Sequence, residues 1–248
     1  MLFIYTIIDM PKINLETEPR FKEAMKSLGF KKTSRFFVRH VDDVTQTIMF
    51  GHSTMGEKHV RYYSLTYGIE FDYIVRSAGE MGVFVYALGG LIDYIMPHHV
   101  GLMEWRLSEY DTDDYYIRMI NDIIDKILQY VLPFMEKYNT IEQFLEGVES
   151  GSFIKLSLDK KAVPIAYYLI GERQKAFDYI AETLEAYKRQ AAPMPFHEHI
   201  ITEEYEKDVY NCNQDGNLRV YQDFADKFTK WVNQKGNDTR ATLLTVLP

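Results

Sequence analysis

The chain contains one cysteine, Cys212, among its 248 residues, so it cannot form an internal disulfide. A chain of this length can bury a sizeable hydrophobic core without such cross-links. The lack of a disulfide fits the cytoplasm best, because thiols there stay reduced. We therefore expect a cytoplasmic globular protein.

Long hydrophobic runs are also absent. The apolar stretch at residues 1–8 is too short to span a membrane and ends at Asp9 and Pro11. It has no basic flank and no small-residue cleavage site, so it is a poor signal peptide. We expect no membrane partner, and we interpret the stretch either as an edge strand or as the result of a start placed too early, with Met10 rather than Met1 as the native first residue.

Basic residues are fewer than acidic ones: 28 Lys and Arg against 36 Asp and Glu. The formal net charge is −8 and the sequence pI is about 5.4. Nucleic acids require a basic face, so this balance predicts no nucleic-acid partner. The basic run at residues 31–35 is short. An acidic surface is compatible with solubility or with a basic protein partner.

Motifs that specify a chemistry are missing as well. Gly79 and Gly82, like Gly89 and Gly90, match neither the P-loop nor the dinucleotide-binding pattern. The serine elbow G-x-S-x-G does not occur. The sequence therefore names no reaction and predicts no cofactor.

Aromatic residues, in contrast, are abundant: 19 Tyr, 15 Phe and 2 Trp. Between residues 60 and 75 the large apolar side chains occupy alternate positions and polar or small ones occupy the others. A period of two predicts a strand with one packed face and one solvated face. Further strands are predicted at 34–41, 44–52, 83–88 and 103–108, and Gly89 and Gly90 are predicted to close the strand at 83–88.

Helical periodicity dominates the rest of the chain. It predicts a helix over 16–28, a long helix from 112 that Pro133 ends or kinks, and a short helix that a capping box at Thr140 opens and Gly147 and Gly151 close. It also predicts two helices over 161–190 that meet near Gly171, and a helix over 218–234. The fold class is therefore α+β: an antiparallel meander of about five strands flanked by helices, followed by an all-helical carboxy-terminal part. We divide the chain into an α+β domain, 1–150, and a helical layer or subdomain, 151–248, which can pack as one body.

Short signatures in the first 150 residues resemble the bacterial domain-of-unknown-function family 4304, over residues 15–150. The signatures are Leu28–Lys32, Phe36–Arg39, Thr45–Gln46, Tyr67–Ile69, Trp105 and Leu132–Phe134. The resemblance implies an α+β fold with an antiparallel sheet. It implies no catalytic residues.

Polar side chains on the solvated face of the 60–75 strand, with the neighbouring Trp105 and Arg106, are the candidate binding residues. On the strand they are Ser64, Thr66, Glu70 and Asp72. If they line a concave pocket, a ligand is favoured. If helices cover them, the sheet is a scaffold.

Histidines and carboxylates supply the alternative site. His197 and His199 would point the same way on a strand, and His98 with His99 could join His52 or His59, so both pairs are weak metal-ligand candidates. The acidic cluster at residues 109–114 could bind Mg²⁺, but a role in capping the helix that follows explains it better.

Two functions remain open, together with a third, a purely structural module on a larger assembly, which the sequence does not separate from the first. The first is a non-catalytic protein that binds another macromolecule, for example an immunity-type protein that blocks a basic toxin. The second is a small-ligand enzyme or metal-dependent hydrolase in which the histidines and carboxylates converge in one cleft.

Overall fold

The computed structural model describes residues 18–53, 59–97, 103–154, 156–191 and 217–235. The chain folds into two compact units. The sheet unit contains the chain up to Phe71 together with Leu88–Ser157, and the helical unit contains Asp72–Ala87 together with the chain from Leu158 onward.

The sheet unit is built on an antiparallel meander. The strands are β1 (Lys31–Thr33), β2 (Phe36–Val41), β3 (Val44–Ser53), β4 (Val60–Phe71), β5 (Leu88–Leu91), β6 (Trp105–Ser108) and β7 (Ser157–Leu158). Their order is β1-β2-β3-β4-β5-β7, and β6 pairs with the first part of β4. The predicted α+β class and antiparallel meander are confirmed, and the short strands β1 and β7 are additions to the five predicted.

One face of the sheet is packed against helices. Alternate residues on β3 and β4, together with Phe37 on β2, are buried there because the strand period is two. They are Phe37, Val44, Gln46, Ile48, Phe50, Tyr63, Leu65, Tyr67, Ile69 and Phe71. Ring contacts join this face to three helices through Phe21, Phe134 and Phe144. Burial of these large side chains is the main stabilising contribution in the unit.

Two of the four helices of the sheet unit begin at expected capping residues. The four helices are α1 (Pro19–Ser27), α3 (Asp113–Lys126), α4 (Leu132–Lys137) and α5 (Ile141–Glu149). Thr112 and Thr140 each accept a hydrogen bond from a backbone N–H in the first turn of the helix that follows. A π-helical turn, Ile127–Val131, lies between α3 and α4. Pro133, which has no N–H to donate, follows that turn, and the helical path continues past it rather than ending there.

The helical unit contains α2 (Asp72–Glu80), α6 (Ala162–Leu169), α7 (Arg173–Ala191) and α8, over residues 217–235. The predicted meeting of two helices near Gly171 is confirmed by the α6–α7 hairpin. Aromatic rings fill the interior: Phe228 contacts Tyr168, Phe177, Phe224 and Trp231. In the described residues, no helix combines the length and the apolar character needed to cross a membrane.

Two predicted segments need correction. The strand predicted over 60–75 ends at Phe71, and Asp72 begins α2, where its carboxylate faces the positive helix end. Ile74, Ser77 and Ala78 are buried at helical spacing, which overrides the apparent alternation through Tyr73.

The strand predicted over 83–88 is shifted and becomes β5, Leu88–Leu91. Gly89, predicted to close the strand, lies inside it. A Cβ on Gly89 would come within 2.8 Å of the Tyr67 carbonyl oxygen, so only glycine allows β5 to approach β4 this closely.

The domain division at residue 150 remains a prediction. A change of unit lies nearby, after Ser157, and residues 72–87 from the first half of the chain belong to the helical unit.

Candidate functional site

The second face of the sheet, opposite the packed one, is the candidate binding surface. Directly paired residues in an antiparallel sheet share a face, so the strand register defines its members. We call it the open face; its residues are Lys31, Thr33, Phe36, Val38, His40, Thr45, Thr47, Met49, Gly51, Ser53, Tyr62, Ser64, Thr66, Gly68, Glu70, Gly89, Leu91 and Arg106.

Exposure separates the two faces in the middle of the sheet. Except for Gly89, which is buried, every residue of the open face is half-buried or exposed. On the packed face the ten residues named above have at most 5% of their surface exposed, whereas Arg39 and Val41 are half-buried and His52 is exposed. The open face ends beyond Tyr62, because the next pair on that side, Val60 and Ser108, is buried. Among the described residues, solvent therefore reaches the open face, and their helices do not bury it as they bury the packed face.

A row of mainly apolar side chains crosses the middle of the open face. Phe36 pairs with Met49, Met49 with Thr66, and Thr66 with Leu91, so the row runs across β2, β3, β4 and β5. Phe36 is 43% exposed. Thr66 donates its hydroxyl to the Met49 carbonyl oxygen at 3.2 Å, which leaves its methyl group as the contact surface.

Polar side chains occupy the two ends of the open face. At one end, Glu70 pairs with Thr45 across the strands, and the Thr45 hydroxyl lies 3.0 Å from His40 Nδ1. At the other end, Arg106 pairs with Tyr62. An Arg106 nitrogen lies 3.9 Å from an Asp111 oxygen, a long ion pair that leaves other guanidinium donors for a partner.

The predicted binding residues are partly brought together. Ser64, Thr66, Glu70 and Arg106 share the open face. Asp72 does not, because it belongs to α2 in the helical unit.

Trp105 lies on the packed face, is 6% exposed and donates its indole N–H to Asp122 Oδ2 at 2.7 Å. Its role is to attach α3 to the sheet.

The sequence prediction of the binding surface missed Phe36, Met49 and Leu91. The sequence did indicate Phe36 and Met49, because they lie in the strands predicted over 34–41 and 44–52 and alternate there with the residues that are buried.

The outer edge of β6 is closed to strand addition by its own chain. Tyr115 donates its hydroxyl to the Arg106 carbonyl oxygen at 2.9 Å. Asp111 accepts from the Ser108 N–H at 2.6 Å and donates its own N–H to the Ser108 carbonyl oxygen at 3.1 Å. Because these backbone groups are already satisfied, a partner strand gains little there.

The acidic cluster at 109–114 serves the start of α3. Thr112 is the N-cap, and Asp113 and Asp114 lie in the first turn, where the helix dipole favours negative charge. Asp111 binds the end of β6, as described above. Helix capping accounts for this cluster, as the sequence predicted.

The histidine sites are only partly within the described residues. His98, His99, His197 and His199 lie outside them. His59 Nδ1 contacts the Glu109 carboxylate near the surface, and the His59 ring lies 5.6 Å from that of Tyr110. His52 lies beside Tyr63. In the part of the chain that the structure describes, no three His, Cys, Asp or Glu side chains are grouped as metal ligands.

A groove of about 540 Å³ lies between α7 and α8 in the helical unit. Its lining is formed by Lys188, Leu218, Arg219, Gln222, Asp223 and Asp226. Small-molecule sites are mostly apolar with a few polar groups. This lining is mostly charged, and Asp223 is already paired with Lys227 at 2.8 Å, so the groove does not have the character of a ligand site.

The geometry defines an α+β protein with one solvent-accessible sheet face. Comparisons with protein-family models, with curated proteins and with solved structures give no match to this chain. The resemblance to domain-of-unknown-function family 4304 stays a prediction.

Proposed function

We propose that this protein is non-catalytic and acts by binding another macromolecule, a protein, through the open face of its sheet. The observation that carries the proposal is the contrast between the two faces: one is buried in the core, whereas the other presents an ordered surface to solvent.

The composition of the open face supports a protein partner. Protein interfaces typically have an apolar centre rich in Phe and Met, surrounded by a polar rim. The central row supplies Phe36 and Met49, and the rim supplies hydroxyl groups together with His40, Glu70 and Arg106. A single sheet face offers no deep cavity to enclose a small molecule, which argues against a ligand pocket here.

The net charge of −8 supports a narrower form of the proposal, in which the partner is a basic protein and the role is of the immunity type. That form, the exclusion of nucleic acid and the cytoplasmic location stay predictions. The alternative of a hydrolase with converging histidines also stays a prediction, and the contact between His59 and Glu109 near the surface gives it no special support.

Partner capture with matched variants tests the proposal. The tagged full chain is used to recover bound proteins from native lysate, beside the double variant Phe36→Ser/Met49→Ser and the control Phe84→Ser. Phe84 is 80% exposed and belongs to the helical unit, so it controls for loss of a surface phenylalanine.

The wild type and Phe84→Ser should recover the same protein, and the double variant should lose it, because interface energy concentrates in a few central apolar residues. Circular dichroism must show that all three chains are folded. Recovery of no protein, or of a protein that the double variant retains, would count against the open face as the binding surface.

A further inference from the structure

We draw no further inference here: the strongest candidate, the exposed aromatic side chains of Phe84 and Tyr86 on the segment between α2 and β5, carries none, because nothing in the described residues shows what covers them.

Discussion

At the residue scale, the pair Gly147 and Phe153 shows how one missing methyl group shapes the core. A Cβ on Gly147 would lie 2.6 Å from Phe153 Cε2 and closer still to Cζ. The Phe153 ring is buried against Tyr138 and Phe144. From the sequence alone, Gly147 is expected to help close α5, whereas the helix continues to Glu149 and the glycine makes room for a ring.

Gly147→Ala should therefore destabilise the protein. Overpacking a filled core costs about 1–3 kcal/mol, which exceeds the gain of up to about 1 kcal/mol that Ala brings to a helix. The same change at Gly79 in α2 is the control, because no atom lies within 4 Å of its added Cβ. Urea unfolding followed by circular dichroism should give opposite signs for the two variants; equal effects would refute the packing argument.

At the element scale, one carboxylate links α2 to α8. Glu80, the last residue of α2, accepts a hydrogen bond from the Trp231 indole N–H at 2.8 Å and lies 3.1 Å from Lys235 Nζ. The hydrogen bond from Trp231, followed by that from Lys235, lowers the pKa of Glu80 from its ordinary value of 4.5.

The lowered pKa of Glu80 predicts a pH-dependent contribution to stability. A carboxyl group whose pKa is lower in the folded chain stabilises it above the unfolded pKa, near 4.5, and loses that contribution as the pH falls through the folded value. Glu80→Gln should lower the unfolding midpoint slightly at neutral pH, because exposed pairs contribute little. The difference from the wild type should shrink as the pH falls below 4.5.

Thermal unfolding at several pH values on both sides of 4.5 measures this effect. Glu146→Gln, on an exposed position of α5, is the matched control and should follow the wild type throughout. A constant difference between Glu80→Gln and the wild type at every pH would rule out the charge of Glu80 as its cause.

At the scale of the whole molecule, the chain passes between the two units three times, after Phe71, after Ala87 and after Ser157. The helical unit consequently includes α2, which comes from the first third of the sequence. α6 is buried at every residue from Ala162 to Tyr167, so it depends on neighbours on more than one side.

This arrangement predicts that residues 151–248 cannot form the helical unit alone. The fragment lacks α2 and the partner of Trp231, so it should unfold without cooperativity. A second fragment that carries residues 72–87 on a Gly/Ser linker should recover helicity and a cooperative transition in thermal denaturation. Identical, cooperative unfolding of both fragments would show that α2 is dispensable.

The sequence predicted those parts of the fold that depend on local periodicity. Alternation placed β4, β-branched and aromatic residues placed β3, helical spacing placed α3, and the capping box at Thr140 placed the start of α5. The prediction was wrong at Asp72, where the strand pattern and the helix pattern overlap. It was also wrong at Gly89, because the glycine is required by the close approach of β4, which is distant along the chain. In the candidate site it identified Ser64, Thr66 and Glu70, since these belong to the same strand.

What the sequence by itself determined is which side chains of each strand share a face, because that follows from the period of two. Only the tertiary structure decided which face the helices cover, because packing depends on residues distant along the chain, such as Phe21 on Phe50. For the same reason, the grouping of Phe36, Met49, Thr66 and Leu91 into one surface required the register between strands.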